Sequence, residues 1–457
     1  MIPAAWRAGE TAVIGLGKSG AAAAELLARD GIAVYASDAG TGAALEATAA
    51  RLRAAGATVE TGRHDLDRIA RAAVVVASPG VPPDAPPLAR ARAARVEIVS
   101  EVEVGLRYLP GVPYIAVTGT NGKTTTTALI AHLLRAVGVP GAVEAGNIGT
   151  AVCALALAPK SPPVMVLEMS SFQLHDTPSI KPAVGVLTNL TPDHLDRYAS
   201  VEDYYADKLR LFRSSDETSR TILNADDKES MFRARPNGAV HCFSVHGVED
   251  AWYDRAAGEL FVLGDVPLLA RRDLPLLGDH NVANALAAAM SVMDLSDAHR
   301  SPDARRRLGE GLRSFRALAH RLESVGEHGG VLWINDSKAT NVSSTLVAVE
   351  GMTRPAVVLL GGRHKGEPYT ALIEPLRRRA KAVIAYGEAG PEIVRDLEPA
   401  VRVELMGSDF ESVMARARAL AAPGDAVLLS PACSSYDMFE SYVQRGDAFR
   451  RLAAGPA

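Results

Sequence analysis

A glycine-rich turn ending in lysine and hydroxyls is chemistry suited to a polyphosphate. The chain carries one at Thr118-Gly119-Thr120-Asn121-Gly122-Lys123-Thr124-Thr125. The apolar Tyr114–Val117 precedes it and the helical pattern Thr126–Val137 follows, which predicts a strand, a loop and a helix. Backbone amides and the Lys123 ammonium would cradle the β- and γ-phosphates, and the Thr124 hydroxyl would bind Mg²⁺. Val117 stands six residues before Lys123, where the common phosphate loop has its first glycine, so Gly119 must supply the backbone freedom. A chance Gly-Lys-Thr on a surface turn is the competing reading, and the strand–loop–helix setting disfavours it.

A second glycine run, Gly15-Leu16-Gly17-Lys18-Ser19-Gly20, follows the predicted strand Thr11–Ile14 and opens the predicted helix Ala21–Asp30, with Asp38 eighteen residues beyond it. Taken alone this is a dinucleotide fingerprint, in which a helix N-terminus receives a pyrophosphate and the acid receives a ribose hydroxyl. It specifies a diphosphate better than a nicotinamide, and UDP also carries a diphosphate; a tight turn without a ligand stays open. Three apolar strands lead into polar loops where open parallel sheets bind ligands: Gly146-Asn147-Ile148-Gly149, Glu168-Met169-Ser170-Ser171-Phe172-Gln173-Leu174 and Thr188-Asn189-Leu190-Thr191-Pro192-Asp193-His194-Leu195-Asp196. A carboxylate such as Glu168 beside a phosphate loop is expected where Mg²⁺ is shared with ATP, against the alternative of a solvated loop acid. A lone His194 reads more readily as structural than as a ligand.

These groups require elements to hold them, and short β-branched strands alternate with Ala/Leu/Arg-rich helical stretches almost throughout. That predicts α/β architecture with largely parallel sheets. At 457 residues the chain accommodates several domains. The expected organisation is three α/β domains: a Rossmann-like domain at 1–109, a central P-loop-type ATPase domain at 110–316 and a C-terminal Rossmann-like domain at 317–457. The charged cluster His299–Arg307 marks the softest boundary. A net charge of −4 gives no electrostatic case for nucleic acid or an anionic membrane, so anions must be held locally. Three dispersed cysteines, Cys153, Cys242 and Cys433, exclude a disulfide framework and a thiolate zinc site and fit a reducing cytosol. No apolar run approaches the ~20 residues of a membrane span, and the N-terminus does not read as a signal peptide.

The order of the motifs resembles the Mur ligase family over essentially the whole chain: TGTNGKTT, GNIG, EMSSFQL, TPDHLDRY, Gly278-Asp279-His280-Asn281-Val282-Ala283-Asn284, Ala319-His320-Arg321 and Asn335-Asp336-Ser337-Lys338-Ala339-Thr340-Asn341. The N-terminal GLGKSG with Ser78-Pro79-Gly80 and the C-terminal Ser430-Pro431-Ala432-Cys433-Ser434-Ser435-Tyr436-Asp437 point to its glutamate-adding branch. The resemblance implies a cytoplasmic, monomeric enzyme of cell-wall precursor synthesis. It would use ATP and two Mg²⁺ to join D-glutamate to UDP-N-acetylmuramoyl-L-alanine through an acyl phosphate. An L-glutamate-adding or other Mur-type ligase is the variant reading; a folylpolyglutamate synthase and a nicotinamide-dependent oxidoreductase are the rivals.

By the same resemblance Gly119, Thr120, Asn121, Gly122, Lys123, Thr124 and Thr125 hold the phosphates. Thr124 and Glu168 serve one Mg²⁺; His194 and Lys208 serve the other, with Lys208 carrying a carbamate formed from CO₂. Asn281 and Asn284, one turn apart on a helix, would meet the adenine side of ATP, Arg321 a phosphate and Asp336 the ribose. Lys18, Ser19, Asp38 and Ser78 are implied for the uridine diphosphate, and Asn147 for the sugar or its reacting carboxylate. Thr340, Lys365, Ser435 and Tyr442 are implied for glutamate. Tyr436 replaces a common leucine and Tyr442 a common phenylalanine, which bears on the chirality of the amino acid.

Overall fold

The computed structural model describes residues 1–194, 197–398 and 400–454, so Leu195 and Asp196 of the TPDHLD run lie outside the described residues. The first sheet is parallel, in the order β3-β2-β1-β4-β5: β1 Thr11–Ile14, β2 Val34–Asp38, β3 Thr58–Thr61, β4 Val74–Ala77 and β5 Ile98–Ser100. β1 and β4 are buried along their whole length, which is why they read as unbroken apolar runs instead of alternating ones.

The second sheet is built from β6 Tyr114–Thr118, β7 Val143–Gly146, β8 Met165–Glu168, β9 Val184–Leu187, β10 Arg220–Asn224, β11 Ala239–Ser244, β12 Ala251–Asp254, β13 Glu259–Val262 and β14 Pro267–Ala270. Its order is β14-β13-β12-β11-β10-β9-β6-β8-β7. The strands pair in parallel from β7 to β12, and β12, β13 and β14 add an antiparallel extension. Here Trp252 stacks on Phe261 at 4.6 Å, a cross-strand aromatic pair. The third sheet, β15-β16-β20-β17-β18-β19, comprises β15 Glu323–His328, β16 Val331–Asn335, β17 Ala356–Gly361, β18 Ala380–Tyr386, β19 Val403–Leu405 and β20 Ala426–Leu429. It is parallel except for β15 against β16.

The chain divides into two compact units. One comprises Met1–Arg271 with Ala283–Leu312 and holds the first two sheets; the other comprises Arg272–Val282 with Arg313–Ala457 and holds the third. Within the first unit the helices Glu101–Tyr108 and Val152–Leu157 lie so close that a side chain on Gly105 would strike Val152. The charged cluster around residue 300 continues into the helix Pro302–Ser314, which buries Leu308 and Leu312 and turns Arg306, Arg307 and Arg313 outward, while the half-buried Arg305 donates to Val262 O at 2.9 Å. Among the described residues no helix is long and apolar enough to cross a membrane.

Candidate functional site

The phosphate loop leaves the C-terminal end of the fully buried β6 and feeds the helix Lys123–Ala136. Its glycines are there for contact as much as for flexibility. Gly119 has φ 143°, and a Cβ there would fall 2.0 Å from Thr188 Oγ1; Gly122, at φ 84°, lies under the Asn284 amide. The segment after β9 fixes the loop's shape. Thr120 N donates to Asn189 O at 2.9 Å, Asn121 N to Asn189 Oδ1 at 2.9 Å, and Thr188 Oγ1 to Asn121 O at 2.6 Å. Lys123 starts the helix and folds its ammonium onto the carbonyls of Gly119 and Thr120, both at 2.8 Å. Thr124 and Thr125 are half-buried in the first helical turn, where amides and the helix dipole favour an anion.

Glu168 ends β8 beside this loop and is 2% exposed. Its Oε1 accepts from Asn147 Nδ2 at 2.7 Å, and its Oε2 is buried without a hydrogen-bond partner among the described residues. Lys208, on the helix Val201–Leu209, is 1% exposed; it donates to Gly119 O at 2.7 Å and lies 4.6 Å from the Tyr204 ring centre. Burial, and then the neighbouring Lys123, push the Lys208 pKa well below its ordinary value, while Asp193 and Glu168 oppose the shift. His194 has φ 56° and sets its ring edge-on to Phe172 at 5.5 Å. An unpaired carboxylate oxygen, a hydroxyl at a helix start and a lysine driven toward its neutral form suit a hard divalent cation that takes its remaining ligands from phosphate. No group of three or more His, Cys, Asp or Glu side chains gathers as a metal cage among the described residues.

In the first sheet Asp38 is used twice by its own loops: Oδ2 accepts from Leu16 N at 2.7 Å and Oδ1 from Gly40 N at 2.8 Å. Lys18 is exposed and Ser19 half-buried in the first helical turn after the glycine run. A cavity of about 620 Å³, roomy enough for a nucleoside, is lined by Leu16, Lys18, Asp38, Thr48, Arg51 and Leu157. Ser78 faces a second, smaller cavity of about 260 Å³ with Phe172, Gln173, Tyr198 and Asp207. Asn147 belongs with Glu168 and not with these uridine candidates.

The second unit collects the glutamate candidates. Lys365 is exposed and its Nζ lies 3.4 Å from Thr340 Oγ1; Ser435 is 2% exposed; Tyr442 carries Lys338 over its ring at 4.0 Å. Tyr436 points outward at 66% exposure. Asp336 is buried, accepting from Ser430 Oγ at 2.9 Å and Leu322 N at 3.2 Å, and burial raises its pKa to about 7. Leu322 directly follows Arg321, which is half-buried. Asn281 donates to Leu277 O at 2.8 Å within its own turn, whereas Asn284 Oδ1 accepts from Thr126 Oγ1 at 3.2 Å. Asn284 thus braces the phosphate-loop helix.

Sequence reasoning did not single out Tyr204, whose hydroxyl donates to Thr120 Oγ1 at 3.3 Å and whose ring shields Lys208, or Asp207, which pairs with His175 at 2.8 Å. The only available signal was their adjacency to Lys208 on one helix.

Residues 9–100 match the Mur ligase MurD-like N-terminal domain, 117–292 the Mur ligase middle domain, and 320–433 the Mur ligase glutamate ligase domain. The chain is 40% identical over 446 residues to the UDP-N-acetylmuramoylalanine–D-glutamate ligase of Acidobacterium capsulatum, covering 96% of this chain and 95% of that one. It is likewise 40% identical over 459 residues to the ligase of the same name from Anaeromyxobacter dehalogenans, covering 97% of each. Among solved structures, the UDP-N-acetylmuramate-alanine ligase of Thermotoga maritima superposes with a TM-score of 0.60 at 20% identity, over 98% of this chain and 100% of that one. The MurF ligase of the same organism, solved in complex with ADP, gives 0.58 at 20% identity, over 85% and 90%. These two likenesses concern the fold.

Proposed function

The chain belongs to the Mur ligase family, and from that premise we propose that it joins D-glutamate to the L-alanine carboxyl of UDP-N-acetylmuramoyl-L-alanine at the expense of ATP. The observation that carries the reading is the buried, unpartnered Glu168 oxygen beside a phosphate loop on which two lysines share one carbonyl. Such a cluster is poorly arranged for stability and well arranged to receive phosphate and a divalent cation.

A carboxylate does not react with an amine until one of its oxygens becomes a leaving group. The substrate carboxylate attacks the γ-phosphate, giving an acyl phosphate and ADP; the glutamate amine then attacks the acyl carbon and expels phosphate. Lys123 and the amides of Gly119–Thr125 hold the transferring phosphate. Mg²⁺, as two ions, supplies charge neutralisation where carboxylate and phosphate converge. Thr124 and Glu168 would hold one ion, His194 and Lys208 the other. The Lys208 neutral amine adds to CO₂, forming an N–C bond and releasing a proton, and the resulting carbamate offers anionic oxygens. Asn281, Asn284, Arg321 and Asp336 serve the nucleotide; Lys18, Ser19, Asp38, Ser78 and Asn147 serve the UDP-sugar; Thr340, Lys365, Ser435 and Tyr442 serve glutamate. The work divides over three domains, 1–109, 110–316 and 317–457, in a monomer of the cytosol.

ADP release measured with each combination of ATP, UDP-N-acetylmuramoyl-L-alanine and single amino acids tests the reading. Turnover should require all three partners and prefer D- over L-glutamate. Equal turnover with L-glutamate, or hydrolysis indifferent to the UDP-sugar, overturns it.

A further inference from the structure

Among the described residues Arg445 is the only arginine in the set of fully buried large side chains, and although its charge is felt by the buried Asp336, none of its hydrogen bonds goes to a carboxylate. It sits in the first turn of the helix Tyr442–Ala453. Its guanidinium donates to Ser337 Oγ at 3.0 Å, Ser337 O at 2.9 Å, Gly361 O at 3.3 Å, Cys433 O at 3.1 Å and Ser434 O at 3.4 Å. Every one of these acceptors is neutral. Burying a cation against carbonyls is costly, so it is retained where dense, geometrically specific hydrogen bonding is required of it.

The acceptors come from three separate places at the same end of the third sheet: the loop after β16, the end of β17, and the loop after β20. The same three loops carry Thr340, Lys365 and Ser435. The helix bearing Arg445 begins at Tyr442, whose carbonyl accepts from Ser337 Oγ at 2.8 Å. There is no slack at this junction: a Cβ on Gly362 would meet Ser434 O at 2.1 Å and Arg445 Nη1 at 3.0 Å. A planar fork with five donors can join three chain segments at once; an ammonium on a flexible stem cannot hold the same angles.

We propose that Arg445 is a positioning residue for the amino-acid pocket, setting the spacing of the three loops that present Thr340, Lys365 and Ser435 to glutamate. The proposal rests on the glutamate reading of that pocket. It touches no substrate and acts through the carbonyls it gathers.

The test compares Arg445→Lys, which keeps the charge and loses the fork, with Ser337→Ala, which removes one acceptor, and Lys365→Ala, which probes the pocket itself. In Arg445→Lys the KM for glutamate should rise at least tenfold, with the KM for ATP and for the UDP-sugar within twofold of wild type. Amide hydrogen exchange should quicken together in residues 336–341, 361–366 and 432–437. Ser337→Ala should shift the same quantities in the same direction by a few fold, and it decides the matter if Arg445→Lys does not fold. Guanidinium at tens of millimolar should partly restore the glutamate KM of Arg445→Ala, where ammonium should not. An Arg445→Lys or Ser337→Ala enzyme with unchanged loop exchange and unchanged glutamate KM overturns the proposal. A uniform rise in all three KM values reduces Arg445 to a merely structural role and also overturns it. If Lys365→Ala leaves the glutamate KM unaltered, the pocket assignment itself has failed, and the proposal fails with it for that separate reason.

Discussion

Replacing Glu168 by glutamine separates two accounts of the same buried acid. As a structural counter-ion for Lys123 and Lys208, Glu168 would be a member of a buried ion cluster, and removing one partner of such a cluster costs ~3–5 kcal/mol. As a ligand kept ready for a cation, it should contribute little to the folded state. One of its oxygens already lacks a partner, a penalty of ~1–3 kcal/mol. Its other oxygen receives one hydrogen bond, from Asn147, and a glutamine carbonyl can accept that bond with the loss of ~1 kcal/mol of charge assistance. The amide group of glutamine is also unpartnered there, but it is neutral and cheaper to bury than half a carboxylate. These contributions nearly cancel, so Glu168→Gln should change stability by no more than about 1 kcal/mol. At ~2–4 °C per kcal/mol, the nucleotide-free variant should melt within about 4 °C of wild type. Activity should meanwhile fall at least ~100-fold, equivalent to ~2.7 kcal/mol of transition-state stabilisation. Half-saturation in Mg²⁺ should move upward. Thermal melting without nucleotide, paired with ADP release over a Mg²⁺ titration, reads both quantities. A melting temperature lowered by more than 6 °C with a proportionate loss of activity would restore the structural account. Full activity with an unchanged Mg²⁺ requirement would remove Glu168 from the site altogether.

Lys208→Ala should abolish most turnover and regain part of it with acetate or formate, while wild type gains nothing from either; normal activity in the variant would refute the carbamate. Asp336 has a folded pKa of about 7 against ~3.9 for an unfolded aspartate, so the folded state binds the extra proton and stability declines as pH rises through that window. Asp336→Asn should therefore stabilise the second unit at pH 8, and the gain should shrink toward pH 5; a gain independent of pH would show that the acid is not the cause. Gly119→Ala should lower ATP affinity and melting temperature because of its positive φ and the Thr188 hydroxyl. Thr188→Ala, added to it, should recover part of both, and strict additivity of the two changes would refute the contact.

Most of the sheet framework was legible because its strands are buried on both faces. Thr11–Ile14, Val184–Leu187 and Ala426–Leu429 fall where the apolar runs place them. The antiparallel β13, β14 and β15 were not foreseen, since they are half-exposed and, in β15, carry Glu323, Glu327 and His328. Both glycine-run helices begin earlier than periodicity suggests, at Lys18 and Lys123, because polar residues occupy the first turn and interrupt the apolar pattern. The phosphate loop could be read from its own spacing. Its support from Thr188 and Asn189 could not, since that contact spans more than sixty residues.

What a linear reading misses most consistently is charge placed where it is costly. Lys208, Asp336 and Arg445 each look like ordinary solvated side chains in the sequence, and each is almost wholly buried. Their fates differ according to what the surroundings offer. Lys208 meets a carbonyl, an aromatic face and a second lysine, and is pushed toward its neutral form. Asp336 meets one hydroxyl and one amide, too little to keep its proton off at neutral pH. Arg445 meets a ring of neutral oxygens that matches its planar donor set. Where hydrogen bonding is sparse, the buried group is available to change its protonation or take a ligand; where it is saturated, the group can only hold its neighbours in place. On that criterion Lys208 and Asp336 keep the freedom that the proposed chemistry asks of them, and Arg445 has the fixed bonding that its proposed positioning role requires.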